Sequence, residues 1–181
     1  MGRPKQLLEW RGRSFLERQI CLYREAGCAV CVVLGHEADK VLAACPALSD
    51  CQVILNPRPE AGMFSSLQLA AGALPTETPA FFFTPADNPG VAPETLRTLM
   101  DAWRGGARIV IPRYGGRKGH PALVDGALLP ELRHWPAGGT AKSFIAAQAG
   151  LRVVDCADPA VIWDVDTPED YAALLKQELR Q

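Results

Sequence analysis

The sequence predicts a single α/β domain over residues 1–181, built on a mostly parallel sheet with helices on both faces. Three observations lead there. Short continuous apolar runs, "AVCVVL" (29–34), "AFFFT" (80–84) and "RIVIP" (108–112), read as strands buried on both sides, the pattern of parallel sheets. They alternate with longer stretches of helical periodicity, the order expected of a layered α/β fold. The 181 residues are the length of one domain, without a repeat, a low-complexity stretch or an evident linker.

The elements follow in chain order. Ser14-Phe15-Leu16-Glu17 is a capping box, in which a hydroxyl and a carboxylate satisfy the free amides of a helix start. Apolar residues at 15, 16, 20 and 22–23 carry that helix to about Ala26, and Gly27 stops it. The strand 29–34 follows, then a short helix over about 37–44, a strand at "QVILN" (52–56) and a helix at "FSSLQLAAGAL" (64–74). The strand 80–84 runs into "PADNPG"; Pro93 and Glu94 open a helix that Gly105-Gly106 close, and 108–112 is the next strand. Beyond it the alternation loosens into a less regular insertion around 113–150, with a candidate strand at "HPALV" and helices over 125–134 and 140–149. "LRVVD" (151–155) and "VIWDVD" (161–166) are strand candidates. A last helix starts at "TPED", with Thr167 as cap, Pro168 in the first turn and Asp170 as the capping acid.

Composition excludes several classes. The formal net charge of −1 gives no basic footprint for nucleic acid or an anionic membrane surface. No apolar run approaches the roughly 20 residues of a membrane span, and charges at Glu9, Arg11 and Arg13 break the pattern of a signal peptide. A cytoplasmic location is the expectation. Cys28 and Cys31 form a C-x-x-C, but it sits in the apolar "GCAVCVVLG" with no partner motif at zinc spacing, so buried reduced thiols are expected.

Ligands of such sheets bind outside the carboxyl ends of the strands. Four polar clusters fall there: Asn56 with "RPEAGMFSS", Asp87 in "TPADNPG", "RYGGRKGHP" (113–121), and Asp166 in "WDVDTPED". Each has a structural reading beside a functional one. Asp87 serves a turn or holds a hard cation such as Mg²⁺. Asp166 precedes a helix start or faces a ligand, and it alternates with Asp164 at a strand end. Arg3 and Lys5 are solvated charges or anion contacts, Ser65 and Ser66 are caps or ligands, and His120 is a structural imidazole or part of a Gly-rich anion loop. Two acids, several cations and Gly-rich loops on one rim suit phosphoryl chemistry, and no nucleophile or zinc-hydrolase motif competes.

Taken together, "MGRPKQLLEWRGRSFLE", "VVLGHEADKV", "NPRPEAGMFSSLQLA", "PADNPGVAPETL", "IVIPRYGGRKGHPALV" and "WDVDTPEDYAALL" resemble, in that order and over essentially the whole chain, the molybdenum cofactor cytidylyltransferases, a branch of the MobA-like nucleotidyltransferases. The resemblance implies a Rossmann-like fold of the nucleotide-diphospho-sugar transferase type. It also implies transfer of CMP from CTP to the terminal phosphate of a molybdopterin-type cofactor, with Mg²⁺ and release of pyrophosphate. Alternatives are another NTP or acceptor, or a non-catalytic protein that binds the pterin or a nucleotide. By the resemblance, Gly2, Arg3 and Lys5 end the glycine-rich signature, where Lys5 neutralises triphosphate charge. Asp87 and Asp166 hold the metal, and Lys5 and Asp87 carry catalysis. Asn56, Gly62 and Ser65 fall at the nucleotide, and Gly119 and His120 at the pterin partner. A molybdoenzyme or its maturation chaperone is the implied recipient of the product.

Two departures stand out. Residues 86–88 are Ala-Asp-Asn where the family usually has Gly-Asp-Gln, and the acid is kept. Family members also carry a strand and a Leu-Ala-Ala-Gly-x-Ser-x-Arg loop just before the segment that here begins at Met1. Unpaired strand groups cost about 1–3 kcal/mol each when buried, against a domain stability of roughly 5–15 kcal/mol. The expectation is therefore a chain truncated relative to the working protein.

Overall fold

The computed structural model describes residues 3–136 and 138–178. Gly2, expected at the nucleotide, lies outside the described residues. The chain opens with a 3₁₀ turn, Lys5–Leu7, and a two-residue hairpin, β1 (Glu9–Trp10) with β2 (Arg13–Ser14). Helix α1 (Phe15–Glu25) starts at the expected capping box: the Glu17 amide donates to Ser14 Oγ at 3.2 Å, and the Ser14 amide donates to Glu17 Oε2 at 2.9 Å. Strand β3 (Cys31–Leu34), helix α2 (Ala38–Ala44), strand β4 (Gln52–Leu55) and helix α3 (Met63–Ala73) form a first half, in which β3 and β4 pair in parallel.

The second half holds β5 (Ala80–Phe83), α4 (Pro93–Arg104), β6 (Ile109–Tyr114), β7 (Arg117–Lys118), β8 (Ala122–Asp125), α5 (Leu129–Arg133), α6 (Ala141–Ala147), β9 (Leu151–Asp155) and α7 (Pro168–Glu178). Strand β9 pairs in parallel with β6, and β8 lies antiparallel between β6 and β5, so β5, β6 and β9 share one direction. Among the described residues, no ladder joins the β3–β4 pair to this five-stranded sheet.

Helices cover both faces of the larger sheet, and the two-residue period of the strands shows how. Ile109 and Ile111 of β6, with Ala122 and Val124 of β8, point into a core with Phe64, Leu128, Leu132 and Phe144. Val110 and Leu123, one residue out of phase, point the other way against Leu99 and Ala102 of α4. The smaller pair is less enclosed. Val32 and Leu34 are buried against Leu16, Ile20 and Val41, whereas Cys31 and Val33 are half-buried because that side opens on a cleft lined by Val33.

Two expectations are corrected. Residues 161–166 form no ladder strand: Pro159–Ile162 is a 3₁₀ turn whose Asp158 side chain accepts from the Ala160 amide, and the chain then runs without regular structure to Thr167. The reason is a competing local bond, since Asp158 also accepts from the Ala92 amide and Thr95 Oγ1 and so ties the segment to the start of α4. Likewise, Cys28 precedes the strand that Cys31 begins, and both are half-buried. Burial still pushes their thiols above the ordinary range, so they stay protonated at neutral pH.

Candidate active site

Strand β5 ends at Phe83 and releases a loop that carries Asp87. The carboxylate is half-buried, and among the described residues its Oδ1 has no hydrogen-bond partner. Burial raises the Asp87 pKa; the Lys5 ammonium opposes that rise, and the charges of Asp164 and Asp166 add to it. Lys5, Asp164 and Asp166 all act on the Asp87 charge, though they lie far from it in sequence.

The sequence arranges this through alternation. Val165 is 3% exposed and packs with Leu8, Trp10, Phe15 and Leu174, while its neighbours Asp164 and Asp166 face outward. The Val165 amide donates to the Asp87 carbonyl at 3.2 Å, which lays the 163–166 segment along the Asp87 loop. Lys5 reaches the same place because Leu7 and Leu8, both buried, anchor the turn it starts. Its Nζ donates to Asp166 Oδ1 at 2.5 Å.

Beside these charges lies a cleft of about 870 Å³, lined among others by Arg3, Lys5, Gly35, Gly62, Ser66 and Asp166. Gly62 caps α3 with φ at +86°, a value costly for any residue with a Cβ, and no side chain caps the helix there. The Ser65 amide already donates to the Gly62 carbonyl at 3.1 Å, which leaves the Met63 and Phe64 amides of α3 for an anion. Asn56, 7% exposed, does not line the cleft but braces its wall. Its Nδ2 donates to Ser65 Oγ and Ser66 Oγ at 2.9 and 3.0 Å, and its Oδ1 accepts from the Arg58 amide. Ser65 Oγ in turn donates to the Gly62 carbonyl at 2.7 Å.

Gly119 and His120 lie outside the lining of that cleft. Gly119 has no room for a side chain, since a Cβ there would sit 1.9 Å from the Val161 carbonyl oxygen. The His120 amide donates to the same oxygen at 2.7 Å, and the His120–Pro121 bond is cis. Its ring meets Phe83 edge-on at 5.8 Å, with Nδ1 buried and without a partner among the described residues. Burial lowers its pKa, partly offset by Asp164, so the imidazole is neutral at pH 7. Asp164 thus acts on both His120 and Asp87. Of the loop's other cations, Arg117 and Lys118 are exposed in β7, and Arg113 is engaged by Asp155 at 2.6 and 2.8 Å.

The model of the MobA-like NTP transferase domain matches residues 1–153. The chain belongs to that family. It is therefore a nucleotidyltransferase. It is 25% identical over 171 residues to the molybdenum cofactor cytidylyltransferase of Escherichia coli (strain K12), covering 94% of this chain and 86% of that one. The crystal structure of Rv0371c from Mycobacterium tuberculosis H37Rv superposes with a TM-score of 0.81 at 29% identity, over 97% of this chain and 90% of that one. A second structure of the same protein, in complex with manganese, gives 0.79 at 30% identity, over 97% and 93%. No helix among the described residues is long and apolar enough to cross a membrane.

Asp87 of this MobA-like domain fits a hard divalent cation: it has an orphaned buried carboxylate oxygen, and its charge is opposed by Asp164 and Asp166 and favoured by Lys5. Among the described residues no group of three or more acids, histidines or cysteines is placed to hold a metal ion by itself. A small divalent cation needs only one or two carboxylates when substrate phosphates and water complete its shell.

Two residues of this site escaped the sequence reading. Asn88, 1% exposed, donates from Nδ2 to the Ala160 and Trp163 carbonyls, yet in sequence it looks like one more turn residue. Gln19, 7% exposed, donates from Nε2 to the Pro85 and Asn88 carbonyls. It had a signal: with Phe15 and Tyr23 it makes an i, i+4, i+8 row, and a lone amide on a buried helix stripe needs a partner.

Proposed function

We propose that this chain works in the cytoplasm as a Mg²⁺-dependent cytidylyltransferase that transfers CMP from CTP to the terminal phosphate of a molybdopterin-type cofactor. An oxygen of the acceptor phosphate attacks the α-phosphorus of CTP, the α–β bridging P–O bond breaks, and pyrophosphate leaves. The observation that carries this reading is the convergence of Lys5, Asp87, Asp164 and Asp166 beside a cleft walled by the open start of α3. The choice of CTP and of the acceptor is supported by the name of the E. coli relative, and the choice of a divalent ion by the manganese complex of Rv0371c.

Asp87 and Asp166 would hold the metal, with Asp164 adding negative potential. When bound, the ion neutralises phosphate oxygens and templates the leaving group. Arg3 and Lys5 meet the triphosphate; Lys5, now held by Asp166, is placed to stabilise charge developing on pyrophosphate. The Gly62–Ser66 turn and the first amides of α3 receive phosphate or ribose oxygens, with Asn56 keeping Ser65 and Ser66 in place. Gly119 and the neutral His120 line the acceptor side. No side-chain nucleophile is required, because alignment and charge stabilisation account for most of the catalysis in phosphoryl-type transfer. All six cysteines are free thiols, in keeping with a reducing compartment. The dinucleotide product passes to a molybdoenzyme or its maturation chaperone.

The test is pyrophosphate release from each of the four NTPs in the presence of molybdopterin and Mg²⁺. The proposal expects release with CTP alone. Release with another NTP reassigns the base, and binding without turnover reassigns the protein as a carrier.

A further inference from the structure

The two acid-bearing segments come from distant parts of the chain, and the β5 loop carries Asp87 while the 159–167 segment carries Asp164 and Asp166. No strand ladder joins them, since residues 161–166 pair with no strand among the described residues. Asp158 ties their far ends through the Ala92 amide; next to the acids, they are joined by one side chain and one amide. Asn88 Nδ2 donates to the Ala160 carbonyl at 2.9 Å and to the Trp163 carbonyl at 2.7 Å, and the Val165 amide donates back to the Asp87 carbonyl at 3.2 Å. The Asn88 side chain is there as a donor: among the described residues its own Oδ1 is buried and accepts nothing. On the opposite side, Gln19 of α1 donates from Nε2 to the carbonyls of Pro85 and Asn88 at 2.7 and 2.8 Å, so the loop is gripped on both sides of Asp87.

We propose that Asn88, backed by Gln19, is a positioning residue that fixes Asp87 against Asp164 and Asp166 and so sets the divalent-metal site. The inference rests on the metal reading given above. Two amides in sites 1% and 7% exposed make four donated bonds to backbone carbonyls, and all four converge on the two loops that bear the acids. Hydrophobic packing would bury the same segments without fixing the separation of their carboxylates. Short directional bonds fix it, because their distance and angle tolerances are narrow. A site whose ligands must converge to fractions of an ångström needs such support from residues that touch no substrate.

The experiment is a Mn²⁺ titration of the purified full chain, following the free-ion signal by electron paramagnetic resonance. Four proteins are compared: wild type, Asp87→Asn, Asn88→Ala, and Leu99→Ala, a core variant chosen to lower Tm without removing any of the Asn88 or Gln19 bonds. Steady-state kinetics with CTP, molybdopterin and Mg²⁺ accompany it. Wild type binds Mn²⁺ and Asp87→Asn loses that binding. Asn88→Ala raises the Mn²⁺ Kd about tenfold and lowers kcat about 10- to 100-fold, with KM for CTP within about twofold. Leu99→Ala, though less stable, keeps the wild-type Mn²⁺ Kd. If wild type binds no Mn²⁺, or Asp87→Asn binds it unchanged, the metal reading itself falls and this inference with it. If binding depends on Asp87 yet Asn88→Ala matches Leu99→Ala in Kd and kcat, the metal reading stands and the positioning role is overturned. Should Asn88→Ala fail to fold, Gln19→Leu cuts the other grip and carries the same expectation and the same refutation.

Discussion

The centre of the five-stranded sheet is more deeply buried than the outer edge of the β3–β4 pair, and the two sides of the site are held in different ways. Ile109 and Val110 of the larger sheet are fully buried, whereas on the smaller pair Val32 is 9% exposed and Leu55 is 56% exposed. The loop bearing Asp87 leaves the larger sheet and is gripped by Asn88 and Gln19; the cleft wall at Gly35 and 56–66 hangs from the smaller one. Charge alignment thus rests on a loop gripped by buried side-chain bonds, and substrate capture on a wall open to the cleft. That division suits group transfer, where small errors of reactant placement are costly while binding walls can adjust.

The largest effect that sharpens this contrast falls on Asp87. Asp87→Asn should lower kcat/KM by roughly 100- to 1,000-fold, in the range of a lost electrostatic contact to the reacting group. Its Tm should not fall, because burial disfavours the charged acid that Asn replaces. A comparable loss of Tm and activity together would make Asp87 structural. Stability should divide the two regions next: Leu99→Ala, at a fully buried position, should cost about 3 kcal/mol in denaturant unfolding. Leu55→Ala, on the exposed edge, should stay within about 0.5 kcal/mol, and equal losses would erase the contrast.

On the cleft side, Asn56→Ala removes two donated bonds to Ser65 and Ser66. It should raise KM for the nucleotide about tenfold, some 1.4 kcal/mol, with kcat within about threefold. A kcat loss instead would place the brace in the chemical step. The smallest effect concerns α1. The Ser14 hydroxyl and amide hold the Glu17 carboxyl below the ordinary glutamate range. Its contribution is present above that range and lost as the pH falls through the lowered value. Glu17→Gln should therefore cost about 1 kcal/mol at pH 7 and approach wild-type stability in acid, as read from Tm against pH. A deficit independent of pH would remove the carboxylate from the cap.

Much of this was legible because local chemistry and global fold agree. The α1 and α7 capping boxes, and the apolar runs at β5 and β6, are signals that only one structure satisfies. The rule that ligands gather at strand ends singled out Asp87, which does follow β5, and Asp166, which follows no ladder strand. What sequence could not show is how separate loops are tied. Residues 161–166 read as a strand because Val161, Ile162 and Val165 are apolar. Their backbone is instead claimed by Asp158, Asn88 and Asp87, partners up to 78 residues away whose approach no local pattern encodes. Asp164 illustrates the same limit: alternation put one acid of 164 and 166 toward the ligand, while both act on Asp87.

The most direct test is crystallographic: crystals grown with CTP and Mn²⁺, with data collected to locate manganese by its anomalous signal. A single peak within coordination distance of both the Asp87 and Asp166 carboxylates, with Lys5 turned to the phosphates, is the predicted result. A peak elsewhere, or nucleotide bound with no metal between those acids, contradicts it.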